Sequence, residues 1–164
     1  MSGLCRGCER FKQSEFGSCY EFTSDPGWSI AKLIFDIDKL KEMLITAPRL
    51  WRWESKDTPS LQHMVATHEI FPEHLDHVDT SIPLLLGEFT FIHDESGKEE
   101  LFHLCCDGHH RLAKELSLGH DIKFYVMTEL EMREAAFTSM RAYMESKGVI
   151  VLGVSDEEFE GMMQ

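Results

Sequence analysis

The chain has 164 residues, of which 43% are hydrophobic and 27% charged, a composition typical of a globular domain with one substantial core. Its 29 acidic residues outnumber the 16 basic ones, and the resulting net charge of −13 disfavours extended binding to nucleic acid. No apolar run approaches the roughly 18 residues of a membrane span, and the N-terminus lacks the apolar segment of a secretory signal, so we expect a cytoplasmic protein without a membrane partner.

The first 27 residues have no sustained hydrophobic period, and glycines recur in them. We expect this segment to be an irregular N-terminal extension and residues 28–164 to form one domain. Cys5 and Cys8 have the C-x-x-C spacing of many zinc ligands, and Cys19 is the nearest third thiol, so a structural zinc site is one hypothesis. No fourth ligand is evident, and free thiols are the alternative, because an odd number of cysteines in a reducing compartment does not suggest a disulfide framework.

A strand followed by a helix opens the predicted domain. The apolar run at 28–37 predicts the strand, and the spacing of Ile37, Leu40 and Leu44 predicts the helix. A mixed-charge loop with two tryptophans follows. We then expect two short helices, because one continuous helix could not hold Pro72 in its interior.

The middle of the chain is typical of a sheet. Strands are expected at 82–86, 88–93 and 100–106, and the last two would pair as a hairpin. A helix that ends at Gly119 and a strand at 122–128 come next.

The C-terminal part is predicted to be mainly helical. Thr128 and Glu131 form a capping box, and the apolar spacing after them predicts one long helix up to Gly148. An edge strand at 149–154 and a short acidic tail helix would complete the chain. The predicted fold class is therefore mixed α/β.

The stretch CCDGHHRLAKEL lies between a predicted strand and a predicted helix. The N–H groups at a helix start carry a partial positive charge, so a turn at this position is suited to an anion. Gly108 would let the backbone approach a ligand closely, and Arg111 would supply a planar fork for phosphate or carboxylate. Asp107, His109 and His110 are the candidate catalytic residues, because imidazoles carry protons and a carboxylate holds a metal-bound water. The alternative is an ordinary helix start with solvated side chains.

The segment LCCDGHHRLAKELSLGHDIKFYVMTE resembles the signature of the ParB/sulfiredoxin-like superfamily, where a strand, a D-G-x-H-R or G-G-C-H-R turn, a helix and a further strand form a nucleotide-phosphate site. The upstream DTSIPLLL is similar to the strand before the hairpin of ParB-like domains. The resemblance implies a small mixed sheet flanked by helices and a nucleotide (ATP, ADP or CTP) bound with magnesium. It also implies that Gly108, His110 and Arg111 bind the phosphate, while Asp107 matches the acid of the motif.

Members of this superfamily differ in chemistry. His109 stands where sulfiredoxin has its catalytic cysteine, which argues against repair of oxidised cysteine. No convincing helix-turn-helix segment follows the motif, which argues against a DNA-partition protein. The resemblance then implies a nucleotide hydrolase or phosphotransferase, for which Glu54 is a candidate carboxylate base.

Two other classes of function stay open. A non-catalytic interaction or regulatory protein could use the acidic surface or the C-terminal tail to bind a protein partner. A nuclease-like enzyme is the class least compatible with the charge. Separately, His74 and His77 are three residues apart and could share a metal, although exposed surface histidines are the alternative.

Overall fold

The structure is a computed structural model that describes residues 19–23, 27–28, 32–66 and 70–148, with residues 152, 153, 155, 157, 158 and 161. Within these residues the chain forms two β-sheets and several helices, which confirms the predicted mixed α/β class. Cys5 and Cys8 of the predicted zinc site lie outside the described residues, as do most residues of the predicted strand and tail helix after Gly148.

The elements alternate between strands and short helices. The strands are β1 (Cys19–Thr23), β2 (Lys32–Asp36), β3 (Arg52–Glu54), β4 (Leu84–Ile92), β5 (Glu99–Asp107), β6 (Ile122–Met127) and β7 (Ala136–Phe137). The α-helices are α1 (Ile37–Thr46), α2 (Pro59–Ala66), α3 (His109–Ser117), α4 (Glu129–Glu134) and α5 (Met140–Ser146), and a 3₁₀ helix spans Pro72–His77. None of these helices has the length and apolar content needed to cross a membrane.

The two sheets differ in size and pairing. The smaller sheet has the antiparallel order β1-β2-β7, and the larger has the order β3-β6-β4-β5. In the larger sheet β4 and β5 form the predicted hairpin, while β6 runs parallel to β4. Because α3 connects β5 to β6, the start of α3 lies at the end of the sheet where β4 begins.

The two sheets share one hydrophobic core. Phe35 of β2 packs in the same buried cluster as Phe89 and Phe91 of β4 and Met132 of α4. A second cluster on the other face of the larger sheet contains Leu112 of α3, together with apolar residues of α2, β4 and β6. Both sheet faces are thereby covered, so the end of β5 is held in place from two sides.

The extension was predicted to be irregular up to residue 27, and this is wrong for Cys19–Thr23. These residues form β1, in which Tyr20 and Phe22 lie opposite Phe35 and Leu33 of β2. The inward residues alternate with exposed ones, so the pattern of a half-buried strand was present but spanned only five residues. The tryptophan-rich loop likewise contains β3, whose three residues pair with β6 at the sheet edge.

The strands predicted at 82–86 and 88–93 are one strand, β4. Gly87 lies in its middle and pairs with Leu104 on one side and Met127 on the other. A Cβ at this position would lie 2.2 Å from Sδ of Met132, so the glycine is required by the close approach of α4. The sequence suggested that Gly87 separates two strands, but in the structure it lies within one strand and leaves room for Met132.

The long helix predicted after Thr128 is also wrong. The capping box itself is present, but α4 ends at Glu134, and Ala136 and Phe137 pair with β2. A second helix, α5, then begins at Met140 and is capped by Ser139, whose hydroxyl accepts a hydrogen bond from the Ala142 N–H at 3.1 Å. At these two residues, pairing with the free edge of β2 is therefore favoured over hydrogen bonding within a continuous helix.

Candidate functional site

The strand–turn–helix predicted around Gly108 is present. Gly108 is the N-cap of α3 with φ 113° and ψ 22°, a conformation that strongly favours glycine. A Cβ at this position would also lie 2.9 Å from both Cγ of Leu84 and Nη2 of Arg111. The turn therefore requires glycine for its backbone angle and for space.

Asp107 and Arg111 form an ion pair across this turn. Nη2 of Arg111 lies 3.0 Å from Oδ2 of Asp107, and Nζ of Lys41 approaches the same oxygen to 3.2 Å. Burial raises the pKa of Asp107, but the charges and hydrogen bonds of Arg111 and Lys41 outweigh it and hold that pKa below its ordinary value. Two cations thus face the carboxylate of Asp107.

The guanidinium of Arg111 has a buried donor without a partner in the described part of the chain. Its Nε atom is buried and has no hydrogen-bond partner among the described residues. A buried donor without a partner costs about 1–3 kcal/mol, more when it is charged. Because protein atoms cover Nε, a ligand acceptor would reach it only after the surrounding side chains moved.

His110 points into the protein. It is only 8% exposed, and its Nε2 accepts a hydrogen bond from the N–H of Phe71 at 3.1 Å. Because Nε2 is the acceptor, a neutral His110 carries its proton on Nδ1. The ring also stacks on Phe71 and contacts the ring of His74 edge-on, so His110 fixes the start of the 3₁₀ helix against α3.

His109 lies on the opposite side of the turn from His110. Its ring stands 5.7 Å from the ring of Tyr20 in β1, measured between centroids. It is half-buried, and it lines the cavity at the turn as well as a larger neighbouring one.

A cavity of about 200 Å³ lies between the turn and the 3₁₀ helix. The turn contributes all five residues from Asp107 to Arg111, and the facing wall is formed by His74, His77, Val78, Asp79 and Ile82. The predicted candidate catalytic and phosphate-binding residues are thus brought together around one space.

The facing wall includes two residues that the sequence did not connect with the turn. His74 and His77 were a separate candidate metal pair, and their rings lie 6.1 Å apart. Burial lowers the pKa of His74, and the charge of His77 lowers it further. The order of elements could have predicted this position. The 3₁₀ helix that carries both histidines comes shortly before β4 in the chain, and β4 begins beside the turn.

Glu54 is not brought to the turn. It lies on β3, three strand positions across the sheet from β5, a separation of about 14 Å at roughly 4.8 Å per strand. Its carboxylate accepts a hydrogen bond from the Thr58 hydroxyl at 2.9 Å. A base for the predicted reaction would have to come from another residue.

The predicted zinc site involves one described cysteine. Cys19 is an exposed free thiol on β1. Within the described part of the chain, no group of three or more histidine, cysteine, aspartate or glutamate side chains could hold a metal ion. Since Cys5 and Cys8 are not described, the zinc site stays a prediction.

Comparison of the chain with protein-family models, with curated proteins and with solved structures finds no match in any of the three. The resemblance to the ParB/sulfiredoxin-like superfamily therefore stays a prediction that depends on the quoted residues alone.

Proposed function

We propose that the chain binds a small phosphate-containing ligand at the turn formed by Asp107–Arg111. The observation that carries the proposal is the cavity that brings Arg111 together with Gly108 and the first residues of α3. The guanidinium of Arg111 and the positive end of the α3 dipole both favour an anion there, although Asp79 and Asp107 also line the cavity and the whole chain is acidic.

The size of the cavity limits what the turn itself holds. Sites for drug-sized ligands occupy about 300–1,000 Å³. The cavity of about 200 Å³ is smaller than this, so it fits a phosphate group or a sugar phosphate. A larger ligand would extend beyond the turn.

The reaction class comes only from the resemblance. Nucleotide hydrolysis or phosphate transfer with magnesium would need carboxylates that are free to bind the ion. Among the described residues that line the cavity, the carboxylates are Asp79 and Asp107, and Asp107 is already bound by two cations. The donor set does not fit a magnesium site, so we propose ligand binding and derive no metal-dependent step.

The test is a titration of the purified protein with inorganic phosphate, ATP, ADP and CTP, each with and without magnesium, followed by thermal unfolding and calorimetry. A ligand at 100 times its Kd stabilises the folded state by about 2.7 kcal/mol. For a chain of this length, such a stabilisation raises Tm by about 5–10 °C. We expect this rise with at least one phosphate ligand.

Two variants distinguish ligand binding at the turn from a general effect of removing a positive charge. Arg111→Ala should abolish the rise in Tm, because it removes the guanidinium that lines the cavity. Arg133→Ala should retain it, since Arg133 also forms an i,i+4 pair with a carboxylate, Glu129, but lies on α4 away from the cavity. If no phosphate compound raises Tm, or if both variants respond like the wild type, the proposal is wrong.

One observation favours the alternative of a protein-binding role. Several large apolar side chains between α1 and the end of β3 are exposed, among them Leu50 at 90% and Trp53 at 64%. Exposed apolar clusters often mark interaction surfaces. A failed phosphate titration would leave this role as the better supported one.

A further inference from the structure

The strand β3 forms one edge of the larger sheet. It pairs with β6 on one side only, and its outer edge pairs with no strand among the described residues. An unpaired edge presents backbone N–H and C=O groups that can bond to a strand of another chain. Arg52 and Trp53 of this edge are exposed, so such a strand would meet their side chains directly.

Two tryptophans lie on the same face of this edge. Trp53 is opposite Lys123 of β6, and the ring of Trp51 lies 6.3 Å from that of Tyr125, two residues further along β6. Side chains two residues apart on a strand point to the same face, so Trp51 and Trp53 are neighbours there. Both are about half exposed or more, and tryptophan is among the residue types most enriched in the buried centres of protein interfaces.

The charged residues of β3 are placed symmetrically about Trp53. Arg52 precedes it and Glu54 follows it, and both point to the face opposite Trp53 because neighbouring strand residues alternate. Within the described part of the chain, the guanidinium of Arg52 forms no ion pair, whereas the carboxylate of Glu54 accepts one hydrogen bond, from the Thr58 hydroxyl. Charges on an edge strand oppose indiscriminate pairing, so these two select a strand that carries the opposite signs in the reverse order.

An antiparallel copy of β3 is such a strand. When Trp53 lies opposite Trp53 of the second copy, Arg52 of each copy lies opposite Glu54 of the other. Residues directly opposite each other have Cβ atoms about 4.5–5.5 Å apart, which allows both a contact between the rings and two ion pairs. The two-fold axis passes between the tryptophans, so the arrangement closes as a dimer and joins the two four-stranded sheets.

We propose that the outer edge of β3 binds a second copy of this chain, through antiparallel pairing centred on Trp53. The charge order carries the inference, because a parallel copy in register would bring Arg52 beside Arg52. Since β3 has only three residues and each copy has a net charge of −13, the dimer is weak and reversible, with a Kd in the micromolar range. The inference does not depend on the phosphate site, which lies beyond the opposite edge of the sheet.

The test is analytical ultracentrifugation of the wild type and of charge-reversed variants. The wild type should change from monomer to dimer as its concentration rises through the micromolar range. Arg52→Glu and Glu54→Arg should each weaken the dimer by at least about tenfold, because each replaces two attractive pairs by two repulsive ones. The double variant should dimerise like the wild type, since its charges are exchanged but still complementary.

A mixture of the two single variants controls for folding. Neither variant should self-associate, but together they should form a heterodimer, because one then supplies only acidic and the other only basic residues at these positions. Association of the mixture shows that both chains are folded, although Glu54→Arg loses the bond to Thr58. Trp53→Ser should also weaken the dimer, whereas Leu130→Ser, at a similarly exposed apolar residue of α4, should leave it unchanged.

Three results would overturn the inference. A wild type that stays monomeric at every concentration has no such contact. A dimer that neither charge reversal weakens is formed through a different surface. Single variants that stay monomeric both in the mixture and when the two changes are combined would show that Arg52 and Glu54 are not opposite each other. Restored association in the double variant and in the mixture is the result that the antiparallel arrangement requires.

Discussion

At the scale of single residues, Gly108 decides whether the site can form. Its φ of 113° is a backbone conformation that is strained for any residue with a side chain, and the side chains of Leu84 and Arg111 fill the space that a Cβ would occupy. The same residue thus sets the direction in which α3 leaves β5 and the position of the guanidinium. The sequence indicated the first role, because a glycine between a strand and a helix is a common turn signal, whereas the second depends on a contact with β4.

We predict that Gly108→Ala lowers the free energy of unfolding by about 2–4 kcal/mol, as backbone strain and crowding add up. Gly119→Ala is the matched control, because Gly119 has φ 73° but no atom within 4 Å of an added Cβ. That change should cost only about 1 kcal/mol. Urea unfolding of both variants measures the difference, and equal costs would show that space at the turn does not matter.

At the scale of elements, the contact between β4 and α4 explains why a strand with a central glycine stays continuous. Met132 is fully buried and packs directly over Gly87. The contact brings α4 close to the sheet, and Cys106 also contacts Met132, with its Sγ 3.8 Å from Sδ. A strand interior normally loses stability from glycine, and here the close packing offsets that loss.

We predict that Gly87→Ala destabilises the protein by about 1–3 kcal/mol through overpacking against Met132. Met132→Ala should cost about 2–5 kcal/mol because it leaves a cavity. The double variant should be more stable than the sum of the two losses implies, since each change relieves the other. A double-mutant cycle by chemical unfolding checks this, and strict additivity would contradict the contact.

The elements that the sequence predicted well are those with a strong local signal. The capping box at Thr128, the β4–β5 hairpin and the helix that begins after Gly108 were all foreseen, because caps, turns and apolar periods are local features. The break between α4 and α5 was missed because it depends on the free edge of β2, more than 90 residues earlier in the chain. His74 and His77 were recognised as a pair, but their position facing the turn depends on how the 3₁₀ helix packs on α3.

At the scale of the whole molecule, Arg49 joins parts of the chain that are far apart in sequence. Its Nη1 and Nη2 atoms each donate to the Glu131 carboxylate at 2.6 Å, and Nη1 also donates to the carbonyl of Val126 at 2.9 Å. These bonds fasten the segment after α1 to the end of β6 and to α4. The hydrogen bonds from Arg49 are the main cause that lowers the pKa of Glu131 to about 2.

We predict a pH-dependent effect of Glu131→Gln on Tm. Glutamine can still complete the capping box of α4, so the change removes mainly the charge. Because the folded-state pKa lies below the ordinary value of about 4.5, the carboxylate stabilises the fold above about pH 4.5, and this contribution is lost as the pH falls towards about 2. The wild type should therefore have the higher Tm at pH 7, and the difference should shrink between pH 5 and pH 3. Glu95→Gln, in the exposed hairpin turn, is the control, and a gap in Tm that did not change with pH would contradict the assignment.

The burial of the adjacent residues Cys105 and Cys106 affects how the protein reacts with thiol-specific reagents. A register shift in the hairpin leaves Cys106 out of the pairing between β4 and β5, and the two side chains pack in different hydrophobic clusters. Burial, with the nearby charge of Asp107, raises the pKa of Cys105 to about 12, so its reactive thiolate is nearly absent at neutral pH. Alkylating reagents can modify the exposed Cys19 directly, but they would reach Cys105 and Cys106 mainly in molecules whose hairpin has opened. The labelling rate of these two cysteines, measured residue by residue, would then report how often that opening occurs.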